Sequence, residues 1–348
     1  MLSKAIKESS LPVRITVLVL VWLVLISWLH YRLNVYEGHR KVVQMGYMPV
    51  ITNLAAPLLD HASRDGEGVR YKSLKFSSFA EMAEALRNDH IQAAFIIAPL
   101  SIVLRQQGSD IKIVYIGNRH ESTMVARKDL KAKTLADLAG KTIAVPMRYS
   151  GHNLALRQLL AQEGLTNSVN IVEMNPPDMA SAMTTGALDA YFVGEPFAAQ
   201  TLKSGDSSLL FYVEDFWPDF ICNLVIIKQS LIENEPETVK ALVQGAARTG
   251  IWAQNNLDEA AEIASQYWNQ PVELIRYAMS NPPDRIIVDK YTPSLDEMQK
   301  LADLMVKFDL SANSDISGLI DDRFAKGANT ANITDFASIL QDPSGSGH

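Results

Sequence analysis

The chain has 348 residues, 47% of them hydrophobic, and 32 Lys and Arg against 39 Asp and Glu give it a net charge of -7. No basic block concentrates the positive charge, which excludes nucleic acid as a partner because phosphate binding needs clustered Lys and Arg. A single cysteine, Cys222, excludes an intrachain disulfide framework and a cysteine-based zinc site.

The length suggests about two folding units. At the N-terminus, Lys4, Lys7 and Arg14 precede an apolar run from Ile15 to Leu29, and polar character returns at His30. Positive charge before such a run favours a cytoplasmic N-terminus and an exported remainder. Two readings compete, a cleaved secretory signal and an uncleaved anchor. Cleavage wants small residues after the apolar stretch, whereas Ser27-Trp28-Leu29-His30-Tyr31-Arg32 is bulky apart from the serine. The anchor is therefore preferred: residues 1–14 cytoplasmic, residues 15–33 crossing the membrane, and the folded part on the periplasmic or extracellular side of the cytoplasmic membrane.

Beyond a polar joint, Val42 to Tyr47 reads as a strand leading to Asn53, placed to cap a helix over 54–61. Val69 to Phe76 alternates as a strand. Ser78 and Glu81 stand at capping-box spacing before a helix over 79–88. A buried-strand run over 91–98 ends at Pro99, and a short helix and a strand over 111–116 follow. This β-α-β-α-β-α-β order predicts α/β units on a largely parallel sheet.

A second set begins near Leu130. It has a Thr134-capped helix, a strand over 142–145 and the loop 146–151. A helix over 152–163, a strand over 170–174, a helix over 179–185 and a strand over 190–193 complete it. After a return strand over 224–228 the pattern turns helical over 236–254, 257–268, 271–279 and 295–308. The tail, rich in Gly and Ser, is expected to be disordered over 336–348. Gly-x-Ser-x-Gly, His-Glu-x-x-His, Gly-x-Gly-x-x-Gly and P-loop motifs are absent. His61, His90 and His120 are expected at the surface. The reading is a non-enzyme without cofactor or metal.

Several segments carry a family likeness: Val42 to Asn53, Ala93 to Gln107, Asp137-Leu138-Ala139-Gly140-Lys141-Thr142-Ile143-Ala144-Val145-Pro146, Tyr149-Ser150-Gly151-His152, Gly186-Ala187-Leu188-Asp189-Ala190 and Gly194-Glu195-Pro196-Phe197. In these the chain resembles, over roughly residues 42–308, the nitrate/sulfonate/taurine group of periplasmic binding proteins, which also includes thiamine-precursor binders. The resemblance implies a two-lobed α/β fold of the type II periplasmic-binding-protein class. Lobe one would hold 42–122 and 224–335, and lobe two 123–223. The chain departs from the family in lacking a cleavable signal or lipidated cysteine, and in its polar 60–68 stretch. Cys222 alone cannot supply the cysteine cluster that relatives use to make a thiamine precursor.

The implied function is an extracytoplasmic receptor that delivers a small polar ligand, nitrate-, bicarbonate- or sulfonate-like, to the permease of an ABC importer. A membrane-anchored sensor or scaffold is the alternative, and an enzyme of pyrimidine-precursor synthesis a more remote one. Loops at the C-terminal ends of parallel strands face the cleft, and helices starting there present N–H groups to an oxyanion. These loops hold the candidate ligand-binding residues Asn53, Pro99, Ser101, Tyr149, Ser150, Gly151, His152 and Glu195, with Asn223 at the second crossover. Ser150 and Asn53 read equally as helix caps. Glu195 reads either as the partner of an amine or as a carboxylate favoured by a helix dipole.

Overall fold

The computed structural model of the protein describes residues 10–31, 40–65 and 68–341. The chain divides into an N-terminal unit, 1–42, and a folded body, 43–348. In the first, Leu11–His30 forms one 20-residue helix, α1, with none of its side chains buried. At 1.5 Å per residue it is about 30 Å long, the thickness of a bilayer's hydrocarbon core. Length and composition alone qualify it to cross a membrane. Residues 1–9 and 32–33 of the expected topology lie outside the described residues.

The body is built on two five-stranded sheets. The first comprises β1 (Val42–Tyr47), β2 (Arg70–Lys75), β3 (Ala93–Ile97), β4 (Ile111–Ile116) and β10 (Asn223–Lys228), in the order β2-β1-β3-β10-β4. The second comprises β5 (Ser122–Arg127), β6 (Thr142–Val145), β7 (Asn170–Glu173), β8 (Ala190–Gly194) and β9 (Ser207–Tyr212), in the order β7-β6-β8-β5-β9. Both are mixed rather than largely parallel. β1 pairs parallel with β3, and β6 with β7 and β8. The two strands that follow a crossover, β10 and β5, run antiparallel to both their neighbours. A chain leaving one sheet at its C-terminal edge enters the next from the cleft side, so its strand is reversed.

Helices cover the faces. α2 (Ala55–Ala62), α3 (Phe79–Arg87) and α4 (Ala98–Gln106) belong to the first sheet. α5 (Gly151–Gln162), α6 (Pro176–Thr184) and α7 (Phe197–Ser204) belong to the second. The helical return comprises α8 (Gln229–Asn234), α9 (Pro236–Asn255), α10 (Leu257–Trp268), α11 (Val272–Ser280), α12 (Leu295–Lys307) and α13 (Arg323–Lys326). The wholly apolar β3, every residue of it buried, sits in mid-sheet between β1 and β10, as a strand covered on both faces must.

Three local expectations change. Ser78 makes no side-chain cap to α3. The helix at Thr134 is a 3-10 turn, Leu135–Leu138, with Thr134 and Asp137 forming the capping box. The tail is ordered past residue 336: Ala337–Leu340 is a 3-10 turn with Ser338 and Ile339 buried, and only 342–348 lie outside the described residues. Arg248, 1% exposed on α9, explains this. Its guanidinium donates to the carbonyls of Asn329, Ala331, Asn332 and Ser338 at 2.7–3.3 Å.

The crossovers between the sheets, 117–121 and 219–222, lie side by side, with Arg119 bridged to Ile221 and to Ile287. The Arg119 guanidinium, nearly fully buried, holds Glu297 through two bonds (2.7 and 3.1 Å), the Asp219 carbonyl (2.7 Å) and the Lys290 carbonyl (2.9 Å).

Replacing Arg248 with Met keeps the aliphatic stem and orphans four carbonyls. Hydrogen bonds to a charged donor are worth about 1.5–3 kcal/mol each, and partial rehydration of a segment this close to the chain end recovers much of the sum. A net loss of about 3 kcal/mol by denaturant unfolding is expected, with new proteolytic cleavage confined to residues 329–341.

Candidate functional site

The two sheets turn the C-terminal ends of their parallel strands toward one another, and the side chains between them are polar yet buried. Thr52, Asn53, Glu121, Ser122, His152, Glu195 and Asn223 are all between 0 and 3% exposed. Ile51 donates its N–H to the Glu195 carbonyl at 2.9 Å, and Ala98 donates to the Cys222 carbonyl at 3.0 Å, so backbone bonds tie the first sheet to the second sheet and to the crossover.

Asn53 does not cap a helix. It ends the 3-10 turn Ile51–Asn53, where its amide nitrogen donates to the carbonyls of Met48 (3.0 Å) and Phe95 (3.4 Å). Its oxygen accepts from the Asn223 amide at 2.8 Å. The two asparagines therefore meet and clasp the β1 turn to β10. Pro99 lies in the first turn of α4. Ser101 turns its hydroxyl back onto the Ala98 carbonyl at 2.6 Å, within its own helix. Tyr149 is half-buried against the apolar core.

Ser150 is the N-cap of α5, its hydroxyl accepting from the Asn153 N–H at 3.1 Å. The first-turn N–H groups of Gly151 and His152 face outward, as helix geometry requires. Gly151 is there for space: a Cβ would stand 2.7 Å from the Phe220 ring and 3.3 Å from the Ile221 carbonyl. The His152 Nε2 lies 2.9 Å from the Ser122 hydroxyl and 3.9 Å from the Cys222 sulfur, and its Nδ1 has no partner among the described residues. Burial depresses its pKa to about 3, so the imidazole is neutral.

Glu195 is enclosed. Thr123 donates its hydroxyl to Oε1 (2.7 Å), Ala199 its N–H to Oε2 (2.8 Å), and the Arg285 guanidinium stands 3.8 Å away. Burial nevertheless raises its pKa. Arg285 is itself held by Glu214 at 2.5 Å, the Thr123 hydroxyl at 2.9 Å and the Ser122 carbonyl at 2.5 Å.

Sequence reasoning missed Glu121, which nothing in the local pattern marks. Its Oε2 accepts from the Glu195 N–H at 2.6 Å, while Oε1 has only the Cys222 thiol beside it among the described residues. Burial, then the neighbouring Glu195, pushes its pKa up to about 8, so at neutral pH it is an acid that can donate. Gly194 makes room for it, since a Cβ there would lie 2.7 Å from Oε1. His120 and Glu121 both adopt left-handed backbone, φ 72° and 61°, the kind of strain that persists only where surroundings enforce it. His120 is buried, not at the surface. The Asp219 N–H donates to its Nε2 (3.1 Å), and its Nδ1 lies 3.0 Å from the Arg285 carbonyl. Cys222, weighed in the sequence only for disulfides and zinc, packs at the centre with its thiol pKa raised by burial. No group of three or more His, Cys, Asp or Glu side chains is arranged for a metal among the described residues.

These groups set a pH profile. Glu121 holds its proton to about 8 when folded but to 4.5 ordinarily. Its contribution to stability is therefore whole below 4.5 and lost as pH rises through 8. His152 runs the other way: its contribution is whole above 6.5 and lost as pH falls through about 3. Thermal stability should be greatest on a plateau between 4.5 and 6.5. Glu121→Gln should abolish most of the decline above it, read as unfolding midpoints from pH 5 to pH 9.

Comparison with known proteins accords with this architecture. Over 184 residues, half of this chain and 41% of the other, the sequence is 28% identical to the nitrate/nitrite binding protein NrtA of Synechococcus elongatus. Over 272 residues, 75% of this chain and 79% of the other, it is 25% identical to a Bacillus subtilis protein provisionally named as aliphatic sulfonates-binding. Among solved structures, the ligand binding component of an ABC-type import system from Staphylococcus aureus superposes with a TM-score of 0.75 at 21% identity, over 84% of this chain and all of that one. This likeness shows the fold, two α/β lobes of the type II periplasmic-binding-protein class. A family model matches residues 38–267, and by that match the chain belongs to the NMT1-like family.

Proposed function

We propose that the chain is an extracytoplasmic solute-binding receptor that closes on a small polar ligand between its lobes and presents it to an ABC importer. The observation that carries this reading is the buried polar layer between the two sheets. Protein interiors pair their polar groups, yet among the described residues Thr52 Oγ1 and Glu121 Oε1 have only the weakly bonding Cys222 thiol beside them, and His152 Nδ1 has no partner. Such groups are expected where a solute supplies the missing bonds. The relatives named above, for nitrate or nitrite and for aliphatic sulfonates, support an oxyanion as that solute.

The electrostatics suit an oxyanion held by neutral donors. Two buried cationic side chains beside the crossovers are already committed, Arg119 to Glu297 and Arg285 to Glu214. The donors that remain are the N–H groups at the start of α5, the Thr52 hydroxyl and the protonated Glu121. Ser150, Gly151 and His152 form the lobe-two face of the site. Asn53 and Asn223 brace the lobe-one face, with Glu195 holding the turn after β8. Pro99, Ser101 and Tyr149 act by shaping the walls. The lobes are 42–122 with 224–335, and 123–223, and closure is a rotation about the paired crossovers. The segment 15–33 serves as the membrane anchor and restricts delivery to permeases of the same membrane.

A thermal-shift series of the full chain with nitrate, bicarbonate, alkanesulfonates, taurine and pyrimidines tests this. One of the anions should raise the unfolding midpoint in a concentration-dependent way, as a ligand of the folded state must. No shift with any of them would sink the reading. His152→Ala should weaken the active ligand about 5- to 10-fold, the value of one hydrogen bond of about 1 kcal/mol, measured at a temperature where the variant is folded, since emptying a site packed on Phe192 and Phe220 also lowers the midpoint of the free protein.

A further inference from the structure

The segment between α11 and α12 belongs to the first sheet by its backbone and to the second by one side chain. Ile116, the last residue of β4, donates its N–H to the Tyr291 carbonyl at 2.9 Å, and Arg119 donates to the Ile287 carbonyl at 2.9 Å. The Tyr291 ring stacks on Tyr115 of β4 with centroids 5.8 Å apart. These contacts fix residues 287–291 along the end of β4 and the first crossover. The Arg285 carbonyl is held there too, 3.0 Å from the His120 Nδ1.

The Arg285 side chain, 3% exposed, leaves that segment for the other sheet. Its guanidinium donates to the Ser122 carbonyl (2.5 Å) and the Thr123 hydroxyl (2.9 Å) at the start of β5, and to Glu214 (2.5 and 3.4 Å) just after β9. It stands over the Tyr212 ring, 4.2 Å from the centroid, and 3.8 Å from Glu195. Among the described residues, all these partners belong to the second sheet and its loops, although the Arg285 backbone rides on the first. Lys203 of α7 makes a smaller contact of the same kind, 4.6 Å from the ring of Tyr277 on α11.

A rotation that parts the sheets about the crossovers breaks these bonds, because a hydrogen bond stretched past about 3.5 Å is no longer one. We infer that Arg285 is an interlobe latch, a positioning residue that sets the balance between the closed and the open arrangement of the two lobes. Bonds between a guanidinium and a carboxylate are stronger than neutral ones, and a buried setting strengthens them further. Water competes for both partners once the lobes part. The latch therefore raises the fraction of molecules already closed, and with it the apparent affinity for a solute that binds the closed form. It presupposes the two-lobed receptor proposed above, but it is tested without any ligand, so a failed solute screen and a failed latch remain distinguishable.

Opening is read where it is widest. The crossovers leave from the β4 and β9 edges, and β2 and β7 are the opposite edges of the two sheets. Nitroxide labels on Glu81→Cys in α3, after β2, and Ser181→Cys in α6, after β7, both exposed positions, report the separation by pulsed electron double resonance. The full-length protein is used in detergent, with the chain lacking the two new cysteines as the blank for buried Cys222. The labelled parent should show one short distance, with at most about one molecule in ten open. Arg285→Met should bring about half of the molecules to a second, longer distance, roughly a tenfold fall in the closed-to-open ratio. Glu214→Gln keeps the arginine and the shape of its partner, should move the balance the same way by about threefold, and decides the matter if Arg285→Met does not fold. A parent mostly at the longer distance, or folded variants whose distances match the parent's, would overturn the latch. A lowered unfolding midpoint with unchanged distances would make Arg285 structural only and overturn it as well.

Discussion

Arg119 is the constraint on which the rest of the body depends. Its backbone is bridged to the other crossover at Ile221 and to the helical return at Ile287. Its guanidinium gathers Glu297, the Asp219 carbonyl and the Lys290 carbonyl. A charge this buried is tolerable only when it is paired and hydrogen-bonded, and here four of the five N–H donors are used on three separate passages of the chain. The two sheets are thereby hinged at one place. His120 and Glu121, held in left-handed backbone just beyond it, start β5 in the reversed direction that the second sheet requires.

That reversal places a carboxylate where no solvent reaches. Glu121 accepts the Glu195 N–H and touches Gly194, and it retains its proton near neutrality because burial outweighs the attraction of Arg285. Glu195 faces the same burial with better compensation, from Thr123, Ala199 and Arg285. In the pair, a carboxyl group kept protonated does not repel an anion of the kind proposed above. Neutralisation by protonation removes the repulsion and supplies a donor at once. His152 adds no charge of its own, since burial leaves its imidazole neutral.

Much of the fold was legible. Alternating α/β units, a return strand at 224 and long helices after 236 follow from apolar periodicity and turn residues, and the structure has them with ends shifted by at most three residues. Strand direction was less so. Nothing in Ser122–Arg127 or Asn223–Lys228 distinguishes an antiparallel strand, because both are buried between neighbours along nearly their whole length. The strand Ser207–Tyr212 was overlooked because it lies at a sheet edge with little alternation in burial. In the site, Ser150 and Gly151 could be read from local helix-start chemistry. Asn53 could be placed but not interpreted, since its partner Asn223 lies 170 residues away. Glu121, Cys222 and Arg285 were invisible for the same reason: their significance is made by burial against remote segments.

The apolar helix α1 and the body obey different physical rules. A helix apolar from Ile15 to Leu29 has the length and composition that a bilayer can stabilise, whereas the body must bring together β1, β10 and the 279–290 segment before its polar layer is paired. Most of those contacts are long in sequence, so the interlobe layer forms only after both sheets exist. Its residual unpaired groups then belong to the least compensated part of the fold. A solute that satisfies Thr52, Glu121 and His152 would stabilise that part in particular, and closure on ligand would be driven by the same hydrogen-bond deficit that the empty layer carries.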